Sequence, residues 1–99
     1  MCVLPLPPDA HDDPEALELL RAWVVDGELQ GSLAAYVWKN EPATWGRLLA
    51  ESAAHLADAI SPETGQPRDS VYASIRRQLI ADLEDPSSEL TGEFVQRPQ

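Results

Sequence analysis

Residues 20–33, LRAWVVDGELQGSL, decide the fold, because an Asp-Gly pair stands between two runs of residues that suit β-strands. A two-residue type I′ turn needs two positions that tolerate positive φ, and Asp26 and Gly27 supply them. Closing the chain at this turn predicts an antiparallel hairpin. The predicted cross-strand pairs are Leu20–Leu33, Arg21–Ser32, Ala22–Gly31, Trp23–Gln30, Val24–Leu29 and Val25–Glu28.

This register sorts the side chains of the hairpin onto two faces. One face carries only apolar or small residues, namely Leu20, Ala22, Val24, Leu29, Gly31 and Leu33. The other face carries Arg21, Trp23, Val25, Glu28, Gln30 and Ser32. A shift of one residue would mix the two sets, so register and burial favour the same pairing.

One long helix over residues 15–35 is the alternative interpretation, since apolar residues also recur there at helical spacing. That helix would hold Gly27 and Gly31 in its interior, where a glycine costs about 1 kcal/mol relative to alanine. We therefore favour the hairpin.

Composition limits the partners that the chain can have. Its 99 residues carry a net charge of −10. Nucleic acids and anionic membranes attract clustered Lys and Arg, so we expect neither as a partner. The charge is compatible with a basic partner, and equally with a surface that simply keeps a small protein soluble.

The single cysteine and the absence of a long apolar stretch indicate the compartment. Cys2 has no second cysteine to pair with, which favours a reducing environment. No apolar run reaches membrane-spanning length, and the N-terminus lacks the basic start and apolar core of a signal peptide. We predict a cytoplasmic protein.

Two longer helices are predicted after the hairpin. Residues 42–60 and residues 69–84 carry apolar side chains at helical spacing and are separated by a loop at residues 61–67 with two prolines and a glycine. Gly46 is unfavourable inside a helix and indicates a close approach of another backbone or ring.

The remaining segments complete a single small α+β domain. Prolines predict an extended arm over residues 1–8, and Asp13-Pro14 predicts a short helix over residues 14–19. Residues 86–99 are polar and acidic, which is typical of a flexible tail. The predicted domain, residues 9–85, has a short N-terminal helix, a two-stranded antiparallel β-hairpin, and two longer helices packed on the apolar face of the hairpin.

Short stretches along the chain resemble one bacterial family. They are LLRAWV at residues 19–24, Asp26-Gly27, Ser32-Leu33, Val37-Trp38 and PATWGRLLA at residues 42–50. Over residues 5–83 they are similar to a family of short acidic proteins of unknown function, domain of unknown function 5076. The matching residues are mostly core and turn types, so the resemblance implies a fold. It transfers no catalytic residue, because the family has none assigned.

A polar cluster on the first long helix is the main candidate for chemistry. Glu51, His55 and Asp58 lie about one helical turn apart and could share a face as a metal half-site or an acid/base pair. A zinc site needs three or four ligands, and the chain offers only His11 and Cys2 besides. Ordinary pairing on a solvated helix face accounts for the same spacing. We predict no metal, no cofactor and no catalytic residue.

The face of the hairpin that carries Trp23 is the candidate interaction surface. Trp23 and Val25 lie on it together with Arg21, and an exposed tryptophan is a frequent anchor of protein interfaces. The alternative is that the ring folds over Arg21 or the N-terminal arm of its own chain.

These observations favour a non-catalytic interaction or regulatory module over a small-molecule-binding or metal-dependent enzyme that uses His55. A two-stranded sheet also leaves two unpaired edges, which predicts a homodimer through residues 20–25 or residues 28–33. The alternative is that the arm at residues 5–6 or the tail at residues 90–95 supplies the missing strand or cover within one chain.

Overall fold

The computed structural model of the chain describes residues 3–85 and 92–96. Its elements, in chain order, are α1 Pro8–Asp12, β1 Leu20–Val25, β2 Glu28–Leu33, α2 Ala43–Thr64, α3 Arg68–Glu84 and β3 Glu93–Gln96. The predicted α+β class is therefore confirmed, with a short N-terminal helix, an antiparallel hairpin and two longer helices.

The chain divides into two compact units. We call residues 3–37 with 92–96 the sheet unit, and residues 38–85 the helical unit. Each is described by itself. The prediction of one domain over residues 9–85, with the helices packed on the hairpin, stays a prediction.

The hairpin has the predicted register at all six pairs, from Leu20 opposite Leu33 to Val25 opposite Glu28. Asp26 and Gly27 adopt positive φ values of 53° and 79°, as a type I′ turn requires. The Asp-Gly signal thus sets both the position of the turn and the face on which each side chain lies.

A third strand corrects the prediction of a two-stranded sheet. β3 pairs in parallel with β2, with Gly31 opposite Phe94 and Ser32 opposite Val95, so the strand order is β1-β2-β3. These four residues fall within the segment predicted as a flexible tail, and the rest of that segment, except Gly92, lies outside the described residues. This pairing agrees with the alternative to the homodimer, in which the tail at residues 90–95 supplies the missing strand within one chain.

The short N-terminal helix lies earlier than predicted, at Pro8–Asp12 and not at residues 14–19. Pro8 occupies its first turn, where a missing N–H costs nothing, and His11 N donates to Pro7 O at 3.0 Å. Asp13 begins a tight turn instead of a helix. Its carboxylate accepts the N–H of Glu15 at 2.9 Å, which satisfies a local donor without further helical turns.

In the helical unit, α2 continues past its predicted end at residue 60 and runs to Thr64, with Pro62 inside it. Gly65 ends the helix, because it adopts a left-handed φ of 74° and its N–H bonds to Ser61 O at 2.9 Å. The glycine, and not the first proline, is therefore the stop signal. α3 begins one residue before its predicted start.

The buried residues of the described structure are small. Ala53 and Ala57 of α2 and Val71 of α3 are buried, and Ala34 is the buried apolar residue of the sheet unit. Within residues 3–85 and 92–96, no large side chain is fully buried. The space around Gly46 is open, so the close approach predicted there is wrong.

Candidate interaction surface

One face of the three-stranded sheet is mostly apolar and exposed to solvent. We define the apolar sheet face by the apolar and small residues that the register places on it, Leu20, Ala22, Val24, Leu29, Gly31, Leu33 and Phe94, and Gln96, opposite Leu33, lies at the end of the same face. Val24 is 77% exposed, and Leu20, Leu29 and Phe94 are also exposed. Isolated apolar side chains at a surface are ordinary, but neighbours on one sheet face form a contiguous patch, which is typical of a binding surface.

The opposite face carries the residues of the predicted interaction surface. Arg21 joins Glu18 in a 2.7 Å ion pair, and its guanidinium carbon lies 6.0 Å from the centre of the Trp23 ring. Trp23 is only half-exposed, whereas Val25 is exposed. The structure thus brings Arg21 and Trp23 together, and Val25 lies at the end of the same strand.

A groove runs between the N-terminal arm and β1. Its volume is about 440 Å³, and its walls come from residues 3–7, Glu18 and residues 20–23. Val3, Leu4 and Leu6 of the arm remain exposed. Within the described residues, no backbone hydrogen bond joins this arm to β1, so the arm stands beside the strand without pairing with it.

The outer edge of β1 is the longer free edge of the sheet, because β2 lies between β1 and the four-residue β3. In an antiparallel hairpin, alternate residues direct their N–H and C=O groups toward the partner strand. Val25 flanks the two-residue turn and belongs to that inward set, and Ala34 N donates to Leu19 O at 3.0 Å in the same alternation. The even-numbered residues therefore direct their backbone groups outward: Leu20, Ala22 and Val24.

The structure does not bring the three side chains of the polar cluster of α2 together into one group. Asp58 accepts a hydrogen bond from Arg68 at 2.7 Å, while Glu51 and His55 are exposed. Among residues 3–85 and 92–96, no group of three or more His, Cys, Asp or Glu side chains could hold a metal ion. Cys2 lies outside the described residues.

The contact of Arg68 with Asp58, which joins α2 and α3, was not predicted from the sequence. The Arg68 guanidinium bridges to Asp58 and lies 5.4 Å from the centre of the Tyr72 ring. The hydrogen bond and charge of Asp58 raise the pKa of Arg68 above its ordinary value. The signal in the sequence is weak, because the two residues lie on different helices and show no periodic spacing. The contact joins two helices and performs no chemistry.

Two tryptophans at the start of the helical unit also form a pair that spacing did not reveal. The rings of Trp38 and Trp45 meet edge to face, with centroids 5.4 Å apart and planes at 71°. Trp38 adopts a φ of 59°, an uncommon value for a bulky residue. Its carbonyl accepts the N–H of Glu41 at 2.9 Å, which closes the turn before α2.

The family model for a domain of unknown function, DUF5076, matches residues 3–87. The chain belongs to this family, as its resemblance in sequence implied. None of the curated proteins matches the chain.

A solved structure from the photosynthetic bacterium Rhodopseudomonas palustrus CGA009 is similar to the chain. It is 32% identical, the alignment covers 85% of this chain and 95% of that one, and the TM-score is 0.69. That protein carries the provisional name of a pyruvate dehydrogenase. Among the described residues of the present chain, no helix is both long and apolar enough to cross a bilayer.

Proposed function

We propose that this protein is a non-catalytic interaction module that binds another polypeptide through its sheet unit. The observation that carries the proposal is the exposure of the apolar sheet face, above all of Val24, which is 77% exposed. A small domain that leaves such a face in water gains free energy when a partner covers it, at roughly 25 cal/mol per Å² of apolar surface. The single cysteine supports a cytoplasmic site of action.

In this proposal the partner also contacts residues on the opposite face of β1. Arg21 and Trp23 belong to the edge strand β1, and Val25 adds an exposed apolar side chain at the end of the same strand. Tryptophan and arginine are the residue types that most often dominate the energy of interfaces. The partner is a protein, and neither a nucleic acid nor a membrane, because the chain carries a net charge of −10.

An enzyme that uses His55 with Glu51 and Asp58 is the competing class, and the provisional name of the Rhodopseudomonas protein belongs to that class as well. Asp58 is already bonded to Arg68, which leaves two exposed side chains of the cluster. No observation on this chain favours that activity, so we do not carry the neighbour's name over to it.

Capture experiments with two matched variants test the proposal. Val24→Asp places a charge on the apolar sheet face, and Leu83→Asp places the same charge on α3, at a residue of similar exposure, 77% against 73%. Tagged wild type and Leu83→Asp should capture the same proteins from the native cell, including untagged copies of the chain. Val24→Asp should lose them while its circular dichroism spectrum is unchanged. Equal capture by all three proteins would overturn the proposal.

A further inference from the structure

The geometry of the sheet unit points to a second copy of this chain as the partner: we propose that two β1 edges pair antiparallel about a two-fold axis at Ala22. The two three-stranded sheets then join into one continuous sheet. This inference rests on the proposed function and specifies its partner. An exposed edge strand with free N–H and C=O groups is a template for pairing with another chain.

The structure itself selects β1 as the edge. β3 already pairs with residues 30–33 on the outer side of β2, so a second copy cannot pair with that part of the strand. β1 has six residues against four in β3, and it is followed by a closed turn. A symmetric dimer uses the same patch on both copies, so an edge that is complementary to itself is sufficient.

The alternation of backbone groups restricts the register of this pairing. Only Leu20, Ala22 and Val24 direct N–H and C=O groups outward, so an even-numbered residue must lie opposite an even-numbered residue. With the axis at Ala22, that residue faces itself and Leu20 faces Val24 of the second copy. These pairs lie on the apolar sheet face, so pairing the edges also makes that face continuous across the dimer.

The side chains of the opposite face are also compatible at this register. Arg21 lies opposite Trp23 of the second copy, and both are members of a closely spaced, non-hydrogen-bonded pair. The guanidinium therefore reaches an aromatic ring of either copy, and no two like charges face each other within the paired residues. An axis at Trp23 would instead place Arg21 opposite Val25, which gives the cation no partner.

Acidic side chains approach each other only beyond the paired residues. At this register, Glu18 of one copy comes level with Asp26 of the other. Arg21 offsets the charge of Glu18 through their 2.7 Å ion pair. The groove of about 440 Å³ leaves room beside β1, and the exposed apolar side chains of the arm are then available to cover the incoming strand.

Cysteine cross-linking in full-length protein tests both the partner and the register. In a Cys2→Ser background, Ala22→Cys places two thiols on directly opposed residues, whose Cα atoms are about 5.5 Å apart in a hydrogen-bonded pair, within reach of a disulfide. Oxidation should convert this variant to a covalent dimer. Val95→Cys, on β3, and Trp23→Cys are the comparison variants and should cross-link poorly.

A proline variant provides a second test of the dimer that does not depend on disulfide geometry. Ala22→Pro removes an N–H that points outward, so the hairpin keeps its internal hydrogen bonds while the edge is blocked. Light scattering should give twice the chain mass of 10.9 kDa for wild type and the single mass for Ala22→Pro. Unchanged circular dichroism would show that the variant is folded.

Each other outcome overturns a stated part of the inference. Efficient cross-linking of Trp23→Cys would indicate that the two-fold axis lies at residue 23. Efficient cross-linking of Val95→Cys would indicate that the two copies pair through β3. A monomeric wild type would exclude the second copy as the partner. In that case, loss of captured proteins in Val24→Asp would still support the interaction module, so the two proposals fail separately.

Discussion

Gly31 and Phe94 are direct cross-strand partners, and the ring of Phe94 occupies the space beside the Gly31 backbone. A β-carbon built on residue 31 would lie 2.5 Å from a ring carbon of Phe94 and would also collide with the carbonyl oxygen of Arg21. The absence of a side chain at this position therefore allows β3 to join the sheet with an aromatic residue at its centre.

Gly31→Ala is expected to destabilise the sheet unit by about 1–3 kcal/mol, the usual cost of overpacking. Hydrogen exchange at residues 93–96 should accelerate, because the added methyl group displaces the Phe94 ring. In the double variant with Phe94→Ala, the ring collision disappears and the collision with Arg21 remains, so only part of the added cost should be recovered. Unchanged exchange in Gly31→Ala would contradict this account.

The contact between Arg68 and Asp58 should stabilise the helical unit modestly. Both side chains are about half exposed, and exposed ion pairs contribute little to stability because water and salt screen them. Arg68→Ala also loses the contact with Tyr72, so we expect a small decrease in the urea concentration at the midpoint of unfolding. Arg68→Lys should retain part of the stabilisation, and high salt should reduce the difference between wild type and Arg68→Ala.

Gly46→Ala is expected to stabilise α2 by about 0.5–1 kcal/mol, because alanine loses less backbone entropy than glycine in a helix. Apart from its chain neighbours and the nearby backbone of α2, no atom of the described residues lies within 4 Å of the added carbon, so no collision opposes the gain. Gly65→Ala is the matched control. It should destabilise the helix end, since residue 65 has a φ of 74°. Thermal denaturation should give a higher melting temperature for Gly46→Ala and a lower one for Gly65→Ala. A lower melting temperature for Gly46→Ala would contradict the prediction.

Dimer formation should strengthen as salt is added. Each copy carries a net charge of −10, and the proposed register brings Glu18 of one copy level with Asp26 of the other. The screening length falls from about 30 Å at 0.01 M salt to about 10 Å at 0.1 M, which weakens the repulsion. Sedimentation velocity should show the dissociation constant falling several-fold over this range, and Asp26→Asn should reduce the dependence. A constant that rises with salt would argue against this pairing.

Purified protein should bind neither zinc nor manganese in stoichiometric amount. His55 and Glu51 are two exposed side chains, and Asp58 is held by Arg68. Elemental analysis of protein prepared without chelators provides the measurement. One metal ion per chain, lost in His55→Ala, would promote the enzyme class over the interaction module.

The parts of this fold that sequence reasoning predicted correctly are those with local causes. Asp26 and Gly27 fix the turn through backbone conformation alone, and the alternation of apolar residues then fixes every pair of the hairpin. The two long helices follow from side-chain periodicity. Their ends were less predictable, because Pro62 is an ambiguous stop and the decisive signal is the left-handed conformation of Gly65.

The parts that were wrong or missed depend on contacts between distant residues. β3 is four residues long, and residues 34–92 separate it from the strand with which it pairs, so no turn motif announces it. The contacts of Arg68 arise in the same way, from two helices that meet only in the folded chain. The register correctly placed Arg21 and Trp23 on one face but did not show that Val24 is exposed to solvent, and the use of either face as an interaction surface stays a prediction.

The parallel pairing of β2 with β3 has a consequence for synthesis of the protein on the ribosome. β1 and β2 leave the exit tunnel before β3. The whole helical unit is translated between them, so β3 can pair with the nascent hairpin only after that. Closing such a long loop is entropically costly and slow compared with hairpin formation. During that interval both sides of the hairpin are open, so newly made chains have an unprotected β2 edge that the finished protein does not.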